Sequence, residues 1–294
     1  MRTTQTRHLP LFAAAALAAV TLPGTLHADE PFRQSRDADP QGTVEIIGIT
    51  DSVDVSGWDQ ARVELTAQGD VGDRIHFNAH AGGTVIDVRP GGGKPQIAIH
   101  VPSKSTLSVT LVNGNISVHG VAGDANLRSV SGNIGGDVGG NLRANTATGT
   151  IHMAAPGAKM IEAKTIDGDI HLTGSPSEVE VVTVSGNVKL ELGTLSRGRF
   201  KSISGNVAAV LSLAADADLD GESVSGNLRF DFPAAPAAQF DLQSFSGTID
   251  NCFGPKPERA HYGPGSRLEF KSGDGGAHVR IETKSGDVHL CTGR

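Results

Sequence analysis

Residues 184–228 read VSGNVKLELGTLSRGRFKSISGNVAAVLSLAADADLDGESVSGNL, and one short signature opens, centres and closes that stretch. Val184-Ser-Gly-Asn-Val188 returns as Ile203-Ser-Gly-Asn-Val207 and as Val224-Ser-Gly-Asn-Leu228. Working toward the N-terminus, it recurs as Ile166-Asp-Gly-Asp-Ile170, Ala147-Thr-Gly-Thr-Ile151, Val130-Ser-Gly-Asn-Ile134 and Val112-Asn-Gly-Asn-Ile116. Toward the C-terminus follow Phe245-Ser-Gly-Thr-Ile249 and Lys284-Ser-Gly-Asp-Val288. The signature glycines are Gly114, Gly132, Gly149, Gly168, Gly186, Gly205, Gly226, Gly247 and Gly286. The first eight are spaced by 17 to 21 residues, and the last gap of 39 is two units long, with a degenerate Lys271-Ser-Gly-Asp274 inside it. Regular spacing at this length is the mark of a repeat architecture.

Each unit alternates. After the glycine, the second and fourth positions are apolar, as in Ile170 and Leu172 or Val188 and Leu190, the period of a half-buried strand. Before it, the fifth position back is apolar (Leu127, Val181, Phe200, Leu242), and the third back is Ser or Thr: Ser129, Thr146, Thr165, Thr183, Ser202, Ser223, Ser244, Thr283. The two strands fall out of phase across the glycine, as they do where a chain bends. So short a unit cannot bury its apolar face alone. Stacking units about 4.8 Å apart pairs each strand with its equivalents and joins their apolar residues into one core. Ser/Thr and Asn should then align as polar ladders. A meander sandwich also uses short strands, but nothing in it calls for Ser-Gly-Asn at one corner of every unit. The expected fold is therefore all-β: a β-solenoid of stacked parallel strands with a β-rich N-terminal cap.

Residues 1–28 have the form of a secretory signal peptide, with Arg2 and Arg7, an apolar run from Leu9 to Val20 and Leu26-His-Ala28 before the expected cut. Residues 29–41 are polar and read as a disordered lead-in, residues 42–110 as the cap, and residues 111–294 as the solenoid with a Pro/Gly-rich loop at 254–265. Removing the leader leaves 23 basic against 32 acidic residues, a net charge of −9. That balance argues against a nucleic-acid surface and against docking on anionic lipid. Export also favours pairing of the two cysteines, Cys252 and Cys291, each five residues past its repeat glycine. Such a bond requires adjacent rungs, and would stabilise the C-terminal end by about 2–4 kcal/mol.

The chain resembles the bacterial putative-adhesin family of β-strand repeat domains of unknown function. The resemblance rests on Gly42-Thr-Val-Glu-Ile46, Val53-Asp-Val-Ser-Gly-Trp-Asp59, Ile99-His-Val-Pro102 and the Ser-Gly-Asn/Asp series, and it covers nearly all of residues 42–294. It implies secretion, a β-solenoid-like body and a surface or adhesive role, and it brings no catalytic residues. Lys271 and Lys284 depart from the pattern, because other rungs are apolar there.

No residue pattern in the chain points to a site of chemistry. His152 and His171 should stack on neighbouring rungs, but the next positions are Lys189 and Ala208, so solvated histidines are the better reading than a metal site. Asp167 and Asp169 flank Gly168 where other rungs have Ser and Asn, which makes them corner residues rather than a catalytic pair. Trp58, the one Trp, is read as a cap or core anchor rather than a ring that stacks on a sugar. Phosphate-loop, dinucleotide, zinc-protease, nucleophile-elbow and calcium-nonapeptide patterns are absent. The expectation is an exported, non-enzymatic envelope protein of the periplasm or cell surface, without cofactor. It would bind a protein or surface polysaccharide, self-associate, or act as a spacer. A carbohydrate-active β-helix enzyme and a partner in envelope stress sensing are the alternatives.

Overall fold

A single rung carries unpaired N–H and C=O groups along both edges, so it persists only when another strand lies against each. The computed structural model, which describes residues 31–49, 52–68, 71–80, 82–91, 96–259 and 265–293, meets that demand by stacking. The leader expected at residues 1–28 lies outside the described residues. In chain order, β1 (Phe32–Asp37), β2 (Thr43–Gly48), β3 (Ser52–Trp58), β4 (Arg62–Ala67), β5 (Ile75–His80), β6 (Gly83–Val88) and β7 (Gln96–Pro102) make the N-terminal region. Regular rungs follow: β8 (Thr106–Asn113) with β9 (Ile116–Val121), β10 (Ala125–Ser131) with β11 (Ile134–Val138), β12 (Leu142–Thr148) with β13 (Ile151–Ala155), and β14 (Met160–Asp167) with β15 (Ile170–Gly174). β16 (Glu178–Ser185) leads into β17 (Val188–Ser204) and β18 (Val207–Ser223), two long strands that each serve both faces. β19 (Leu228–Phe232), β20 (Ala238–Ser244), β21 (Ile249–Asn251), β22 (Glu258–Arg259), β23 (Ser266–Ser272), β24 (Ala277–Thr283) and β25 (Val288–Thr292) complete the chain.

Strands that precede the glycines pair in parallel as one face, β8–β10–β12–β14–β16 and onward. Those that follow pair as the other, β9–β11–β13–β15–β17. Inward residues of both faces form one continuous buried cluster, from Val44 through Leu127, Ile170 and Phe200 to Leu290. Each such side chain, buried whole, contributes about 1.5–3 kcal/mol.

The corner explains the signature. Gly186 has φ +123°, which side-chain-bearing residues rarely adopt, and a Cβ there would stand 2.6 Å from the carbonyl carbon of Gly168. Gly205 lacks the positive φ, yet the same Cβ would strike the Gly186 carbonyl, so close approach alone requires glycine. The Ser/Thr three residues back is buried, and in five rungs it bonds to a corner glycine rather than to its own equivalents. Thr183 Oγ1 donates instead to the Ser185 carbonyl, and the Thr165 and Ser223 hydroxyls have no hydrogen-bond partner among the described residues. Ser129 Oγ donates to the Gly114 carbonyl at 3.1 Å, Thr146 Oγ1 to Gly132 at 3.1 Å, and Ser244 Oγ to Gly286 at 2.9 Å. The expected hydroxyl ladder is thus a hydroxyl-to-carbonyl series, because the glycine carbonyl of the neighbouring rung lies nearer. The residue after each glycine carries the second series. Asn115 Oδ1 accepts from the Asn133 amide at 2.9 Å, Asn133 Oδ1 from Thr150 at 2.8 Å, and Asp169 Oδ1 from Asn187 at 2.7 Å.

The ends correct four expectations. Residues 32–37 are not a disordered lead-in: they form β1, antiparallel to β4, with Arg33 beside Glu64. That pairing covers an edge that the cap would otherwise leave open. The boundary between cap and solenoid at residue 110 also moves, since β2 and β3 form a true rung, parallel to β8 and β9 on one side and to β6 and β7 on the other. Within residues 254–265, Glu258–Arg259 form a short strand against β23, and residues 260–264 lie outside the described residues. Lys271-Ser-Gly-Asp274 is no rung, because β23 runs antiparallel to β20 and the chain turns back there into β24. The final rung, β24–β25, then enters between β18–β19 and β20–β21, pairing in parallel with both.

Gly186→Ala should lower the unfolding free energy by about 1–3 kcal/mol, the range of overpacking. Ser185→Ala, at an exposed position beside it, should stay within about 0.5 kcal/mol. Urea titrations of both variants check this, and equal effects would contradict the corner account.

Candidate functional site

Alternation before the corner puts the fifth and third residues back inside, and therefore the fourth and second outside. The second residue back is the apolar first letter of the signature. Val112, Val130, Ile166, Val184, Ile203, Val224 and Phe245 are 38 to 62% exposed, and Ile49 continues the line at 41%. Strand register places them one above another. Ser131 opposite Thr148 sets Val130 beside Ala147, Asp167 opposite Ser185 sets Ile166 beside Val184, and Ser202 opposite Ser223 sets Ile203 beside Val224. The register of Thr283 with Ser223 and Ser244 sets Lys284 between Val224 and Phe245. Ala147 and Lys284 are the two members of this line that are not large and apolar. The result is an apolar ladder along one corner of the stack.

Charge borders the ladder on one side. The fourth residues back run Arg128, Asn145, Lys164, Val182, Lys201, Glu222, Glu282 and Gln243 in stack order, basic in one half and acidic toward the other. Lys164 Nζ lies 2.9 Å from Glu162 and 3.2 Å from Glu180, and the hydrogen bond to Glu162, with that to Glu180, raises its pKa against the opposing effect of burial. Lys201 Nζ donates to Glu222 at 2.9 Å.

The residues singled out from sequence find structural places. Cys252 and Cys291 are joined in a disulfide with Cα atoms 4.9 Å apart, because the Gly286 rung lies directly against the Gly247 rung. His289 stands beside them with Nδ1 2.9 Å from Asp250, and with both sulfurs in the bond no thiolate is free for a metal. Asp169 belongs to the corner series, and the Asp167 carbonyl accepts from the Gly149 amide. Trp58 Nε1 donates to the Arg62 carbonyl at 2.8 Å, and the Arg62 guanidinium lies over its ring, an anchor for the N-terminal region.

A groove of about 790 Å³ near the C-terminal end is lined by Asp218, Asp220, Asp241, Glu269, Arg280 and the Phe240–Phe270 pair, among others. Arg280 stands in register between Asp220 and Asp241. Phe240 is buried and stacks on Phe270 at 4.6 Å, with Phe253 edge-on to both, so these rings close the end of the core rather than form a sugar platform. No helix among the described residues is long and apolar enough to cross a membrane.

The His152 and His171 rings lie 4.6 Å apart. Burial first, then the charges of His152 and Lys189, hold the His171 pKa below its ordinary 6.5, against a smaller opposing pull from Glu191. The unfolded chain therefore binds this proton more readily than the folded one. The His171 contribution to stability is complete above pH 6.5 and is lost as pH falls below it. His171→Gln should flatten the decline of the urea midpoint below pH 6.5. An unchanged decline would show that His171 does not cause it.

Comparison with known proteins matches a family described as Toastrack DUF4097 to residues 74–291. No curated protein matches the chain. Among solved structures it is similar to a putative adhesin from Parabacteroides distasonis ATCC 8503, at 12% identity over 89% of this chain and 98% of that one, TM-score 0.49. It is also similar to a putative adhesin from Bacteroides fragilis NCTC 9343, at 9% identity over 89% and 97%, TM-score 0.46. A third, a putative lipid binding protein from Parabacteroides distasonis ATCC 8503, shares 13% identity over 90% and 98%, TM-score 0.32.

Proposed function

The chain belongs to the Toastrack DUF4097 family, and we propose that it is an exported, non-catalytic binding and structural module of the cell envelope that engages its partner through the apolar corner ladder. The observation that carries this reading is the exposure of Val130, Ile166, Val184, Ile203, Val224 and Phe245 in one line. Scattered surface apolar residues need no explanation, but a line of them broken only at Ala147 and Lys284 is costly in water and prone to unwanted association unless something covers it. Packing does not demand them: residues three positions earlier, such as Leu127, Val181, Phe200 and Leu242, fill the core, and Ala147 and Lys284 occupy the same place in other rungs. Export is supported by the leader-like residues 1–28 and by the Cys252–Cys291 bond, which persists in an oxidising compartment.

The test is capture from a cell-envelope extract and from a panel of surface polysaccharides, comparing the protein with an Ile166→Glu/Ile203→Glu variant. Both substitutions are at exposed positions, so the variant should melt within a few degrees of the parent. The expected result is a partner retained by the parent and weakened at least about tenfold by the variant. Capture indifferent to the two charges would contradict the ladder as binding surface. Turnover of a polysaccharide would replace the reading with the carbohydrate-active alternative.

A further inference from the structure

Resting on that reading of the ladder, we propose that its occupant is a second copy of this chain, laid antiparallel across a two-fold axis that passes between the Val184 and Ile203 rungs. A surface that repeats about every 4.8 Å is matched rung for rung by another surface with the same repeat, and a second copy supplies one. The argument that chooses this axis is the order of side chains along the corner.

In stack order the ladder reads Ile49, Val112, Val130, Ala147, Ile166, Val184, Ile203, Val224, Lys284, Phe245; the axis pairs the last eight, and Ile49 and Val112 extend beyond the paired strip. The axis sets Val184 against Ile203, Ile166 against Val224 and Val130 against Phe245, each apolar residue facing another. The two exceptions fall opposite each other: the long Lys284 crosses the small Ala147. The flanking column obeys the same axis, with Lys164 facing Glu222, Asn145 facing Glu282, Arg128 facing Gln243 and Val182 facing Lys201. So do the residues after the glycines, where Asp169 meets Asn227, Asp287 meets Thr150 and Asn187 meets Asn206.

Neighbouring registers fail. Shifted one rung one way, Lys164 meets Lys201 and Lys284 lands on Val130. Shifted the other way, Asp169 meets Asp287 and Lys284 lands on Ile166. A parallel two-fold would set Lys284 on its own equivalent. One column further from the corner, the chosen axis brings Arg143 toward Arg280 and Glu162 toward Asp220, so the two copies meet along the corner strip and splay apart beyond it. The strip spans about 34 Å over eight rungs. At three side-chain columns wide it approaches the ~800 Å² per partner of a standard interface.

Light scattering on the purified protein should give a dimer at micromolar concentration, with Val184→Glu and Ile203→Glu each raising its dissociation constant at least about tenfold. A second measurement fixes the register. Ala147 and Lys284 are five rungs apart within one chain, about 24 Å. A short bis-maleimide should therefore link the Ala147→Cys/Lys284→Cys double variant into a covalent dimer, and neither single variant. A monomer at every concentration, a dimer indifferent to both glutamates, or no cross-link from the double variant would each overturn the proposal. A monomer whose envelope capture is still lost in Ile166→Glu/Ile203→Glu would overturn self-pairing alone and leave the ladder as a surface for another partner. A monomer whose capture is unaffected would sink both.

Discussion

At the repeat corners from Gly132 onward, a glycine lies with its α-carbon against the carbonyl of the glycine one rung away, in the space a methyl group would need. The approach lets the Gly132 amide donate to the Thr148 carbonyl at 3.0 Å and the Ser129 hydroxyl reach the Gly114 carbonyl, so the turn is held by the neighbouring rung rather than by itself. Flatness of the corner follows from this contact. So does the alignment of whatever side chains flank it. A solenoid without the glycines would need a wider turn, and the side chains on either side would lose their common line.

That geometry gives the molecule its chemistry, such as it is. The alternation that sends Thr183 inward sends Val184 outward, and stacking repeats the same choice rung after rung until single exposed residues become an apolar edge. The charged column beside it has no such regularity: it passes from Arg128 and Lys164 to Glu222 and Glu282. Regular apolar spacing with irregular charge makes one register of a facing surface differ from the next. The opposite face carries the stacked His152 and His171 and the disulfide, which fastens a rung to its neighbour.

The central rungs were legible from sequence because each unit restates the same alternation and the same corner. The disulfide was legible too, through the equal offsets of Cys252 and Cys291 from their glycines. The exposed ladder was visible in principle. Its residues were part of the recognised signature, and the inward third and fifth positions already implied that the second faces water. What local pattern does not encode is spatial order among equivalent rungs. Gly286 lies between Gly226 and Gly247, although it is last in sequence, since any rung of this phase pairs with any other. The antiparallel pairings that accompany the exchange, β20 with β23 and β4 with β7, join strands distant in sequence, so no local turn announces them. β1 was missed for a related reason: its polar residues bury little, and its pairing to β4 across an intervening rung has no local signature.

The claim on which the rest stands is that each rung within the stack, the chain's last in sequence included, is clasped on both sides at its corner. Hydrogen exchange read by mass spectrometry tests it most directly. The account predicts that β24 and β25 exchange as slowly as β12 to β17, because each has a parallel partner on either side. Fast exchange through residues 277–292, as at a frayed end, would place the last rung at the outside of the stack and contradict it.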